Sequence, residues 1–178
     1  RINVKVIYNN EVIYETLKPE VLNPLKNFEA PVILNIPTAI DFKWGEETQN
    51  VVLSTNEYQA GKLTLKTSEI AFTSNSRYSE LNRIDIIGGL GVIASYQLRE
   101  LGLYFPQTDF IYGEVVCPIL EDPKEDCVMN DRTKLAQNIK TKALLDWVKQ
   151  QVTKLCEKIS EAEQKEREDT NKKISSNY

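Results

Sequence analysis

The chain contains no histidine, and this sets the first boundary on its chemistry. Without imidazole it lacks the commonest general base, the commonest metal ligand and any serine–histidine or cysteine–histidine pair. Its three cysteines, Cys117, Cys127 and Cys156, are odd in number and show no paired spacing. That usage fits a reducing compartment rather than a secreted disulfide framework, and it makes a poor zinc site, so the thiols read as buried and inert. Gly88-Gly89-Leu90-Gly91 is the one glycine cluster. It lacks the Lys and Ser/Thr of a phosphate loop and the spacing of a dinucleotide fingerprint, and it reads as a tight turn between strands. Asp122, Glu125 and Asp126 offer oxygen ligands to a hard cation, but not with the spacing of a calcium loop. A solvated acidic loop is the expectation there, and no metal site is assigned.

The most informative stretch is Val128-Met129-Asn130-Asp131-Arg132-Thr133-Lys134-Leu135-Ala136-Gln137. Asn130 or Asp131 is a good N-cap, which would place Arg132 in the first turn of a helix. Backbone N–H groups and the helix dipole already attract an anion at such a place, and a guanidinium adds a permanent bidentate donor. Together they could grip a phosphate carried by another domain. Alternatively, Arg132 pairs with Glu125 or Asp126 in the acidic loop. Chemistry alone leaves both readings open.

The elements that must position these residues fall into two regimes. Residues 2–8 and 11–16 alternate around Asn9-Asn10 and read as a hairpin. Prolines at 19, 24, 31 and 37 interrupt the next stretch, leaving Val32 to Ile36 as a short edge strand. Residues 39–44, 51–55, 62–67, 70–73 and 84–87 are further strands by their β-branched content and punctuation. Residues 92–101 read as a short helix or strand ended by Gly102, and Ile111 to Leu120 as a strand containing Gly113. From about Asp131 the period changes. Val148, Val152, Leu155, Ile159 and Ala162 step by four, three, four and three, which is a helix with a heptad-like seam. After Glu163 the stripe ends in a charged tail. The pattern therefore predicts a β-rich α+β domain over 1–138, then a C-terminal helix and tail over 139–178. Residues 1–125 should be mostly sheet with at least one crossing helix, and the long helix should start near Asn130 and pass Ile159. Its seam is either packed on the sheet or shared with a second chain as a homodimer contact.

Hydrophobic residues make up 41% of the 178 residues, enough for one core. A net charge of −4 argues against a dominant nucleic-acid surface, though it leaves room for a local basic patch. No apolar run approaches a membrane span, and with no signal peptide the expectation is a cytoplasmic protein. Because the chain opens at Arg1 rather than at Met, it reads as part of a longer protein.

A resemblance adds a functional reading. An acidic loop, an apolar residue, then Asn130-Asp131-Arg132 with Leu135, Gln137 and Asn138 entering a long helix is similar to the middle domain of the heat-shock chaperone ATPases. In that family a Ser-Arg-Glu-Met-Leu-Gln motif occupies this place, and its arginine reaches the γ-phosphate held by the preceding domain. Gyrase B, mismatch-repair and microrchidia ATPases of the same GHKL group use a transducer lysine for that task. Ile111-Tyr112-Gly113-Glu114-Val115 also resembles the strand before the motif in bacterial members. By this match Arg132 takes the arginine's place and Leu135 the leucine's. Asp131 stands where the family has serine, Ala136 where it has glutamine, Gln137 falls one residue late, and Asn130 aligns only with a register slip. The likeness spans about residues 84–160, and it implies a transducer-like domain from about 84.

The resemblance implies a mixed-sheet transducer or middle domain followed by a long helix. Its partner would be the ATP-binding domain upstream in the same chain, where ATP and Mg would reside, with no cofactor in this segment itself. Arg132 would be the catalytic contact, with Arg132, Asn130 and Gln137 around the nucleotide. The segment alone would hydrolyse nothing, because the Asp-x-Gly-x-Gly loop and the water- and magnesium-holding helix of such ATPases do not occur in it. The alternative is a non-enzymatic interaction module that recruits a partner through the seam of its C-terminal helix. The resemblance is compatible with an ATPase that acts on nucleic acid, a client protein or a defence signal.

Overall fold

The computed structural model describes residues 22–73 and 77–176, and the backbone of residues 5–8 and 11–15. It is an α+β fold: a mixed five-stranded sheet, two hairpins and one long C-terminal helix. Strands β1 (Lys5–Tyr8) and β2 (Glu11–Glu15) pair antiparallel. The turn expected at Asn9-Asn10, residues 2–4 and Thr16 lie outside the described residues.

The main sheet contains β3 (Val32–Asn35), β6 (Lys62–Thr67), β7 (Arg83–Ile87), β8 (Val92–Gln97) and β9 (Ile111–Val116). Their order is β3-β6-β9-β7-β8, with β7 and β9 parallel and every other pair antiparallel. β4 (Ala39–Trp44) and β5 (Glu47–Val52) form a separate hairpin, turned by Gly45 at φ +65°. Period-two burial is clear in β6, where Leu63 and Leu65 point inward, and in β7, where Ile84 and Ile86 do. Gly113 in β9 allows close strand approach, since a Cβ there would lie 2.1 Å from the Thr64 carbonyl oxygen.

Helix α1 (Ile139–Ser176) runs for 38 residues. Its inward stripe of Leu144, Val148, Val152, Leu155 and Ile159 joins the sheet residues in one core. The seam thus packs within its own chain. Residues 163–175 are all exposed, as the loss of apolar periodicity implies.

Several expectations are corrected. The helix starts at Ile139, not near Asn130, because Asn138 is the cap. Its Oδ1 accepts the Thr141 N–H at 2.9 Å, and its own N–H reaches Thr141 Oγ1 at 3.1 Å. No α-helix precedes α1 among the described residues, so the parallel β7–β9 connection runs through β8 and short 3₁₀ turns rather than a crossing helix. Residues 70–73 are not a strand: the Ser68 and Phe72 amides bond to the Phe110 and Asp109 carbonyls and bury Phe72 in a loop. The strand placed at 51–55 is instead β5, whose register the Gly45 turn fixes. Residues 111–120 are a strand only to Val116, and Pro118–Glu121 is 3₁₀. Residues 92–101, in contrast, keep the expected reading: strand to Gln97, then a 3₁₀ turn closed by Gly102 at φ +76°.

Asn138 also donates from Nδ2 to the Glu125 and Asp126 carbonyls and to Cys127 Sγ, tying the helix start to the loop before it. Asn138→Ala is therefore expected to destabilise the fold by about 1–2 kcal/mol, the upper range for a cap, measured by urea unfolding. An unchanged midpoint would show that the cap is not what sets the helix start.

Candidate functional site: an arginine-tipped loop

After the acidic loop the backbone folds into a narrow hairpin that carries most of the motif. The Ala136 N–H bonds to the Cys127 carbonyl at 2.8 Å, and Val128 bridges Leu135 antiparallel. Above that bridge the chain reverses at 129–132, where the Arg132 N–H reaches the Met129 carbonyl at 3.1 Å. Asp131 Oδ1 accepts the Thr133 N–H at 3.2 Å, an Asx turn that tightens the reversal. Arg132 sits at φ +52°, a left-handed conformation uncommon for a side chain other than Gly, Asn or Asp.

The expected first-turn position of Arg132 is thus corrected: it lies at a loop tip, upstream of the helix. Arg132 precedes the first helical residue, Ile139, by seven positions, so it does not share the first turn with the helix N–H groups, one of which, on Thr141, is taken by Asn138 Oδ1. Its pairing with the acidic loop is not seen either. Glu125 takes Lys140, whose Nζ lies 3.1 Å from Glu125 Oε1 with the lysine side chain almost wholly buried. Arg132 is exposed, and no hydrogen bond or ion pair engages its guanidinium among the described residues.

Asn130 and Gln137 are also exposed, and both line an open recess of about 750 Å³ together with Asp126, Asp131, Lys134 and the apolar Val128, Met129 and Leu135. The structure therefore brings Asn130 and Gln137 to one surface, while Arg132 stands at the tip and does not line that recess. Among the described residues no group of His, Cys, Asp and Glu is placed to hold a metal ion. Asp122 instead accepts the Lys124 N–H.

The tip is fastened to the edge of the sheet by residues that the motif did not single out. The Ser95 N–H on β8 bonds to the Thr133 carbonyl at 3.0 Å, and the Tyr96 hydroxyl accepts the Leu135 N–H at 2.9 Å. Lys134 Nζ lies 2.8 Å from Glu100 Oε2, donates to the Ser95 carbonyl, and stands 4.8 Å from the Tyr96 ring centroid. Glu100 is oriented in turn by the Gln97 N–H at 2.9 Å. The Lys134 hydrogen bond, opposed by desolvation and aided by the Gln97 N–H, holds the Glu100 carboxyl below the usual range. The Gln97–Glu100 spacing was a readable signal. The Glu100–Lys134 contact was not, since it spans 34 positions of sequence.

Gly88 and Gly89 form the turn expected of them, with a reason the sequence could not supply. The Glu121 carboxylate packs there, 2.8 Å from the Gly89 N–H, and a Cβ on Gly88 would come within 2.4 Å of Glu121 Cγ. All three cysteines are buried. Desolvation pushes the Cys117 thiol up to about 12 and the Cys156 thiol up to about 11. Neither is expected to react with an alkylating reagent at mildly alkaline pH until the protein unfolds; mass spectrometry after timed labelling checks this, and rapid native labelling of either would contradict it.

No helix among the described residues is long and apolar enough to cross a membrane. No protein-family model, curated protein or solved structure matches the chain.

Proposed function

We propose that this chain is the domain following the ATP-binding domain of a cytoplasmic GHKL-type ATPase, and that Arg132 carries positive charge to the γ-phosphate held upstream. One observation carries the reading. Arg132 is an exposed guanidinium without a partner among the described residues, held at the tip of a hairpin that is fastened at its base and along one side. A free, permanently charged, bidentate donor on a rigid support suits a phosphate oxygen arriving from another domain. Glu125, one of the two acids that could have paired with Arg132, is taken by Lys140.

The chemistry asked of Arg132 is electrostatic. As the γ-phosphoryl group separates from the leaving oxygen and meets water, negative charge shifts over its oxygens, and a fixed cation stabilises that distribution. ATP, Mg and the water-activating group belong to the upstream domain. Here the anion would be gripped by side chain alone, without a helix dipole. Nucleotide state would pass through the hairpin to β8 and, by way of Asn138, to α1. Recruitment of a partner through the apolar seam is the weaker reading, because Val148, Val152, Leu155 and Ile159 are buried in the chain's own core. The decisive comparison is ATP turnover and ATP affinity of the intact protein with and without Arg132→Ala. Unaltered turnover removes the proposal.

A further inference from the structure

We infer that Lys134 is a positioning residue, whose grip on β8 and Glu100 sets where the Arg132 guanidinium stands. The inference rests on the γ-phosphate reading and identifies what holds that site. The tip between Val128 and Leu135 has little to fix it internally: one bridge, one turn and one Asx contact. A short two-stranded hairpin is marginal by itself in water. Its definition must come from outside, and the contacts that fasten the tip all reach the segment from Ser95 to Glu100.

Three of those contacts meet at Lys134. Its ammonium is shared by a carboxylate, a backbone carbonyl and an aromatic face. Glu100, already fixed by the Gln97 amide, supplies the charge, and the neighbouring backbone groups of Thr133 and Leu135 bond to Ser95 and Tyr96. Lys134 is two positions from Arg132, so a shift of its anchored ammonium is carried directly to the tip. It is not itself free to contact an incoming phosphate without leaving Glu100. The two cations thus divide the work: Lys134 fixes the loop, and Arg132 presents charge. Displacement of a positioned group by about 1 Å can cost roughly a hundredfold in rate, so loosening this clamp should lower catalysis although no group that touches phosphate has been removed.

The test uses the intact protein carrying Lys134→Met, which retains much of the aliphatic stem and loses the charge, with Glu100→Gln as the second variant and Arg132→Ala as reference. In both clamp variants kcat is expected to fall by about tenfold or more while KM for ATP stays within about twofold. Lys134→Arg should recover most of the rate, since a cation still reaches Glu100. Amide exchange at Ser95 and Leu135 should quicken by about tenfold, while the β6 and β9 amides of Leu63 and Val115 keep their protection. If Arg132→Ala lowers turnover but Lys134→Met and Glu100→Gln do not, the positioning role is overturned and the phosphate reading stands. If Arg132→Ala is itself silent, both are overturned. Lost protection in β6 and β9 of both variants would mean that the clamp supports the whole fold, and would overturn a specific positioning role.

Discussion

If Arg132 serves the proposed γ-phosphate contact, Arg132→Ala in the intact protein is expected to lower ATP turnover by about ten- to a thousandfold while changing ATP affinity far less. The asymmetry comes from when the charge is needed. On the proposed reading, ATP would already be neutralised in part by the Mg and donors of the upstream domain, so an additional cation would contribute modestly to the ground state. As the phosphoryl group separates, charge would move onto oxygens that this cation is proposed to face, so its loss would be felt mainly in the barrier. Arg132→Lys should restore only part of the rate, because an ammonium on a different stem lacks the planar fork. A sharper control comes from the backbone. Arg132 holds φ +52°, which glycine adopts without steric cost, so Arg132→Gly should leave the hairpin at least as stable while removing the cation. Turnover lost equally in the alanine and glycine variants, with unfolding midpoints at or above the wild-type value in the glycine variant, would assign the effect to charge. A rate recovered in Arg132→Gly would assign it to loop geometry and remove the phosphate role.

How far the sequence disclosed this site can be judged at particular residues. Strand β6 was legible to its ends because Leu63 and Leu65 alternate with polar neighbours and turn residues bound the run. The α1 stripe was legible because Val148, Val152, Leu155 and Ile159 keep a period near 3.5. The start of that helix was misplaced for a physical reason. Asn130, Asp131 and Asn138 are all capable caps, and local preference cannot rank them. Thr141, three residues after Asn138, completes a reciprocal cap and was a usable signal. The stronger discriminator is tertiary: only Asn138 finds the Glu125 and Asp126 carbonyls and Cys127 Sγ. Likewise Arg132 was singled out by its charge and place in the motif, but nothing local marks a left-handed arginine. That conformation depends on the Met129 turn and on the Asp131 side chain together. The clamp was hidden for the same reason, since Lys134 and Glu100 meet only once β8 and the hairpin lie side by side.

Leu155→Asp is expected to destabilise the domain by about 3–5 kcal/mol, because it leaves an uncompensated carboxylate in an apolar interior. Leu155 is 3% exposed and lies in the same core as Val152, Cys156 and Ile159 on α1 and the inward residues of the sheet. A loss of that size is a large share of the total for a single domain, roughly 5–15 kcal/mol, so the urea midpoint should fall sharply or the fold be lost at room temperature. Aspartate is also a weaker helix former than leucine, and the comparison must remove that contribution. Lys154→Asp supplies it: Lys154 is the adjacent exposed residue, so it carries the same helix penalty without burial and should change stability by well under the Leu155 effect. The same pair separates two uses of the stripe. A seam packed within one chain makes the Leu155 variant less stable at every protein concentration, with the native mass in sedimentation unchanged wherever it remains folded. A seam shared between chains would instead give a reduced mass with the unfolding midpoint of the single domain preserved. Because the stripe is already buried in this chain's own core, the first outcome is the expected one, and the second would show that α1 exchanges its partner in solution.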